Sequence, residues 1–253
     1  MIVAAPVLER ALRRDRTLVA AGLISVIAGG WAYTLSGAGM NLAVPSGASL
    51  ATLSLTFAMW WVMMAAMMLP AAAPTILLFA AVNRKSGERG HPIVPAAVFA
   101  AGYLAAWGGF SAVATLAQAV LEQSGLLTPM LSSAGAYLGA ALLIAAGAYQ
   151  MTPLKHACLR HCRAPHDFIA RRWRQGGGGA LRMGLEHGAF CLGCCWVLMG
   201  LLFYGGVMSP LWIAGLALYV MVEKLAPAGH WLGRFSGLAL IAWGAAVALD
   251  ASI

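Results

Sequence analysis

The chain has 253 residues, 61% of them hydrophobic and only 9% charged. A soluble domain carries roughly 25% charged residues, so there is too little polar surface here to coat a water-soluble globule. The formal net charge of +8 does not point to nucleic acid, because a reader of nucleic acid needs a basic, soluble core of its own. It fits retention of Lys and Arg on the cytoplasmic side of a membrane.

The expected fold is all-α: a polytopic transmembrane helical bundle, one domain over residues 1–253. Apolar runs of about 20 residues recur along the chain, and "AAVFAAGYLAAWGGF" lacks the alternation of a barrel strand. Met1 to Arg16 is a short amphipathic lead-in ending in "ERALRRDR". Thr17 to Ser36 is the first span. The charge before it imitates a signal peptide, but no A-x-A-type site follows cleanly, so it reads as a retained anchor. Ser49 to Val82 holds the second span, where Pro70 and Pro74 predict a kink or an early stop. Val94 to Val120 is the third span and Leu131 to Gln150 the fourth. Residues 152–186 form the one long polar connection, rich in Cys and His. Within it Phe168, Ile169 and Trp173 alternate with arginines, which predicts a helix lying at the membrane interface. Gly176 to Gly179 reads as a flexible linker. His187 to Gly205, Leu211 to Leu225 and Phe235 to Leu249 complete seven spans. A six-span layout would drop one of the short late segments.

With the amino terminus in the cytoplasm, all 16 Lys and Arg residues fall on the inner side. The outer connections and the carboxyl terminus hold only Glu122 and Asp250. The seven-span layout therefore satisfies the positive-inside rule, and it puts the connection over 152–186 in the cytoplasm.

Sulfur is concentrated in two places. All five cysteines lie between Cys158 and Cys195, with His156, His161, His166 and His187 in or beside that interval. The cytoplasm keeps thiols reduced, which argues for metal ligands or redox groups rather than disulfides. His187, Cys191, Cys194 and Cys195 stand at i, i+4, i+7 and i+8, one face of a helix. Cys158 and Cys162 are i and i+4, with His161 beside the second. Such donors suit Cu(I), Zn(II) or an iron–sulfur centre, and Lys155, Arg160, Arg163 and Arg182 favour thiolate. The competing reading makes Cys191, Cys194 and Cys195 small apolar fillers of a buried helix. Glu186, next to His187, is a candidate to orient it as a ligand. Glu223, followed by Lys224, reads either as half of an interfacial ion pair or as a functional acid. His91 and His230 read as solvated loop histidines.

The second concentration is "AMWWVMMAAMMLPAAAP", from Ala58 to Pro74. Met59, Met63 and Met67 make one helical stripe, Met64 and Met68 its neighbour. Thioethers bind Cu(I) and are poor ligands for hard ions, although methionine also fills irregular gaps between helices.

Taken together, "MWWVMMAAMMLPAAAP", "YQMTPLKHACLRHCR", "HGAFCLGCCWVLMGLLFYGGVMSPLW" and "EK" resemble the bacterial predicted metal-binding integral membrane proteins, a domain family of unknown function. The resemblance runs from Leu53 to Lys224. It takes in Met63, Met64, Met67, Met68 and Pro70, then Gln150, Pro153, Lys155, Cys158 and Cys162. His187, Cys191, Cys194, Cys195, Trp196, Glu223 and Lys224 follow. It implies a bacterial membrane protein that holds a metal, and supplies neither substrate nor reaction. With the charge distribution, it predicts a multi-pass protein of the cytoplasmic (inner) membrane.

Three functions compete. The first is copper handling, with Cu(I) held by the Cys/His cluster and the methionine helix used for transfer, insertion or transport. Its partners would be the lipid bilayer and a soluble metallochaperone or another membrane-complex subunit. The second is a redox subunit or enzyme holding haem, iron–sulfur or iron. The third is an accessory protein with a zinc staple. Copper is placed ahead of zinc and iron, and transfer ahead of catalysis. No Ser/His/Asp triad or dinucleotide fingerprint is present, and "GGGG" lacks the Lys and Ser/Thr of a phosphate cradle. A hydrolase or NTPase is not expected.

Overall fold

A computed structural model of the chain describes residues 4–37, 49–85, 93–127, 135–227 and 229–252. His91, Arg89 and the start of the predicted fourth span lie outside the described residues, as do the side chains of Arg10, Arg13, Arg14 and His230. The described residues form helices joined by short turns. These are α1 (Ala4–Leu35), α2 (Leu50–Lys85), α3 (Ile93–Gln123), α4 (Ala136–Gln150) and α5 (Pro153–Arg163). There follow α6 (Pro165–Arg172), α7 (Gly176–Gly200), α8 (Leu202–Gly205), α9 (Pro210–Leu225) and α10 (Gly229–Asp250).

Five helical segments among the described residues are long and apolar enough to cross a membrane: Arg16–Leu35, Leu50–Arg84, Val94–Gln123, Gly176–Gly205 and Trp231–Asp250. They coincide with the predicted first, second, third, fifth and seventh spans. The predicted fourth and sixth correspond to the shorter α4 and α9, of 15 and 16 residues. The outward faces carry large apolar side chains, among them Val113, Leu116, Leu218, Phe235 and Trp243.

Three local expectations are revised. Helix α2 runs unbroken through Pro70 and Pro74, so of the kink or early stop expected there the early stop does not occur. Packing against α1, α3 and α9 holds it together where proline removes backbone hydrogen bonds. Gly176 to Gly179 is not a linker but the first turn of α7. Gly176 takes φ +77°, a left-handed turn glycine allows without strain, and the missing side chain of Gly179 lets Arg174 pack on it. The helix therefore begins eleven residues before His187. Finally, the apolar side chains of α6 are turned to protein rather than left for lipid. Phe168 and Ile169 are buried, and Trp173 packs its ring on Phe79 at 5.6 Å. Its apolar face covers the protein's own core.

Two glycine seams draw the bundle together. Where α3 meets α7, a Cβ at Gly184 would collide with the Phe99 carbonyl, and one at Gly188 would stand 2.6 Å from the Ala106 Cβ. Gly102 on α3 is closed in the same way by the Leu181 carbonyl. Where α4 meets α10, Gly147 and Gly237 face each other, and a Cβ at Gly237 would stand 2.9 Å from the Gly147 carbonyl oxygen. Small residues one helical turn apart let two backbones touch, the packing device of helices that gain nothing from hydrophobic exclusion. Gly184→Ala should lower stability by about 1–3 kcal/mol by overpacking. Gly22→Ala on α1, with no neighbour within 4 Å, should be neutral or stabilising by up to about 1 kcal/mol. Thermal unfolding of the two variants in detergent measures both.

Candidate metal centre

Helix α7 presents His187, Cys191, Cys194 and Cys195 on its buried face, as their spacing predicts. Across from it lies α5. Thr152 starts that helix by accepting the Lys155 backbone N–H on its Oγ1 at 3.3 Å, and Pro153 follows at the first helical position. Cys158 and Cys162 are half-buried, whereas Cys191, Cys194 and Cys195 are buried, and all five are free thiols. Gly193 makes room for Cys158: a Cβ there would stand 2.7 Å from the Cys158 Sγ. Cys162 is hydrogen-bonded to Cys191 and Cys194. Those bonds, with burial behind them, raise the Cys162 thiol well above the ordinary cysteine range. Burial, and then the neighbouring Cys194, push Cys158 up as well.

Cys191 is the hub. Its Sγ lies 3.0 Å from the Tyr103 hydroxyl and receives a hydrogen bond from Lys224 Nζ at 2.9 Å. Its carbonyl accepts from the thiols of Cys194 and Cys195, both at 3.0 Å. Tyr103 also donates to the Met68 carbonyl at 3.1 Å, which ties the thiol cluster to the methionine helix. There Met63, Met64, Met67 and Met68 are buried, and Met59 is partly buried against the same core. Met183 and Met199 of α7 are buried too. They escaped the sequence reading because single methionines in an apolar helix carry no spacing signal.

His187 is 2% exposed, enclosed by the rings of Phe168 at 5.2 Å, Tyr103 at 5.8 Å and Phe99 at 6.1 Å. Its Nδ1 is buried without a hydrogen-bond partner. A buried, unsatisfied ring nitrogen costs roughly 1–3 kcal/mol and is one that an incoming ion would satisfy. His161 faces elsewhere: it stacks flat on Phe190 at 4.1 Å, and its Nδ1 lies 2.9 Å from the Ala157 carbonyl. Among the described residues no three His, Cys, Asp or Glu side chains converge on one point that could hold a metal ion. The sulfurs are gathered but hydrogen-bonded to Tyr103, Lys224, backbone and one another.

Both acids take partners other than those expected. Glu186 does not orient His187. It draws Arg172, Arg174 and Arg182 together at 3.1, 3.4 and 3.3 Å. Glu223 does not pair with Lys224. Its carboxylate receives Lys155 Nζ at 2.8 Å, both side chains being 0% exposed, while adjacent Lys224 turns to the thiols. Neighbours in sequence, the two point about 100° apart around a helix and meet different helices. Gly233 on α10 leaves space for the carboxylate. Tyr219 donates to it at 3.4 Å, and Gln150 donates to the Tyr219 hydroxyl at 2.7 Å. Arg163 donates to the carbonyls of Ala226 and Pro227, closing the end of α9.

A family model described as PpoB2, copper chaperone, matches residues 57–247. The chain belongs to this family. The match takes in the methionine helix and both cysteine helices, so the sulfur concentrations of the PpoB2 family member are part of the matched region. Comparison with curated proteins and with solved structures finds no match.

Two outcomes test this geometry in the PpoB2 family member. Lys155→Met strands a buried carboxylate and should cost about 3–5 kcal/mol, while Lys155→Met with Glu223→Leu should recover most of the loss. Unfolding by denaturing detergent measures both. In the folded, reduced protein, a maleimide should modify Cys158 and Cys162 ahead of Cys191, Cys194 and Cys195. Peptide mass spectrometry before and after denaturation reads the order.

Proposed function

We propose that this chain is an integral membrane chaperone for Cu(I), the ion being its cargo. In this reading Cys191 and Cys194 take the ion, with Cys162, Cys158, Cys195 and the orphaned Nδ1 of His187 around them. The methionines of α2 (Met59, Met63, Met64, Met67 and Met68) pass it along a soft sulfur path. His161 joins only if its ring leaves Phe190.

The observation that carries the reading is the meeting of two soft-donor sets. The buried Cys191 of α7, hydrogen-bonded in turn to Cys162 of α5, is linked through Tyr103 to the backbone of the methionine helix. Family membership supports copper as the cargo. Thiolate and thioether favour Cu(I), and hard ions are poorly served by either. A structural zinc site needs four converged donors, whereas these sulfurs are spread among protein hydrogen bonds. That arrangement suits an ion handed on rather than locked in.

The five long apolar helices and their apolar outward faces support insertion in a lipid bilayer. The positive-inside distribution supports a layout with α5, α6 and the amino-terminal end of α7 on the cytoplasmic side of a bacterial inner membrane, and the thiols of α7 then lie deeper in the span. Copper would come from a soluble metallochaperone or go to a membrane-complex subunit, exchanged thiol for thiol.

Protein purified reduced and without added metal should take up Cu(I) against a competing chelator. The Cys158→Ala, Cys191→Ala, Cys194→Ala triple variant should lose it. Full Cu(I) stoichiometry in a folded triple variant would remove this reading.

A further inference from the structure

Among the described residues, Lys224 is an unusual charge. Its side chain is buried, and its hydrogen-bond acceptor is a sulfur, the Sγ of Cys191 at 2.9 Å. The adjacent carboxylate is not available to it, because both Glu223 oxygens lie 2.8 Å from Lys155 Nζ. That pair cancels its own charge. The other titratable groups beside Cys191 are Tyr103, His187 and the thiols of Cys162, Cys194 and Cys195, and none is a carboxylate. A buried ammonium is tolerated only against an anion, so this site is built around one fixed positive charge whose counter-charge must sit on sulfur.

We propose that Lys224 is a specificity-determining residue that selects the valence of the cargo, favouring a monovalent soft ion over a divalent one. The inference rests on the copper reading above. With the Cys191 sulfur already the thiolate that balances Lys224, capture of Cu(I) by it and one thiol forms two Cu–S bonds and releases one proton to water, with no change of oxidation state. The resulting bis-thiolate complex carries one negative charge, which the Lys224 ammonium neutralises. The same two sulfurs capturing Zn(II) also release one proton, but the complex is neutral. Lys224 is then a buried cation without an anion, beside a divalent ion that repels it. In a low-dielectric interior this difference is large. The lysine thus excludes Zn(II), which thiols alone bind well.

The test measures Cu(I), Ag(I) and Zn(II) affinities by chelator competition on the purified full-length protein, for wild type and for Lys224→Met, Lys224→Gln and Lys224→Arg. The neutral variants should lose Cu(I) and Ag(I) affinity by about tenfold or more while Zn(II) affinity holds or rises. Lys224→Arg should keep the wild-type order. Lys224→Gln retains a donor for Cys191 without the charge, so it should behave as Lys224→Met. A Lys224→Gln variant that keeps wild-type selectivity would overturn the proposal, and so would Cu(I) and Zn(II) affinities falling together in folded protein. Should neither neutral variant fold, wild type decides: Cd(II), a soft divalent ion, displacing Ag(I) at equal concentration would overturn it. Cysteine-dependent Cu(I) binding with unchanged valence selectivity sinks this inference alone. Absence of cysteine-dependent Cu(I) binding sinks the copper reading with it.

Discussion

Helices α3 and α7 touch backbone to backbone. Gly102, Gly184 and Gly188 have no side chains to hold them apart, and the Phe99 and Leu181 carbonyls fill the vacated space. That closeness fixes where Tyr103 sits on α3 relative to Cys191 on α7, and their contact at 3.0 Å is a consequence of it. The Tyr103 hydroxyl then reaches the Met68 carbonyl, so a single aromatic side chain couples three helices. In the lipid bilayer proposed for this chain, hydrophobic exclusion would not align helices in this way; close packing and buried hydrogen bonds would.

The buried charges impose the second constraint. Lys155 on α5 and Glu223 on α9 form a fully buried pair, and Gln150, Tyr219 and Ser236 extend it as a polar network between α4, α9 and α10. Such a pair gives little net stability but is costly to break, so it pins the relative position of the helices that carry it. It also occupies the carboxylate next to Lys224 in sequence. The structural ion pair and the lysine at the thiols are therefore one arrangement, in which satisfying Glu223 leaves Lys224 for sulfur. The proposed choice of a monovalent cargo follows from that division of charge.

Much of the candidate site was legible in the residues themselves. The i, i+4, i+7, i+8 spacing from His187 to Cys195 put four side chains on one helix face whatever that helix packed against. The methionine stripes of α2 followed from the same geometry. What escaped was everything decided by a neighbouring helix. Tyr103 lies in an otherwise apolar run, with no motif around it. Glu223 and Lys224 look like partners because they are adjacent, yet adjacency on a helix turns side chains apart. His161 sits beside Cys162 in sequence but finds Phe190 instead. Phe168 and Ile169 look made for a lipid interface until α6 is seen folded over His187 and Phe190.

The sequence by itself determined a helical, apolar chain with its soft donors in two runs, because composition and the 3.6-residue period are local properties. Tertiary structure alone decided which donors meet, which acid takes which lysine, and which ring nitrogen is left without a partner. Those outcomes depend on distances between helices, and glycine backbones set them, since a missing side chain announces no partner until the neighbouring helix is in place.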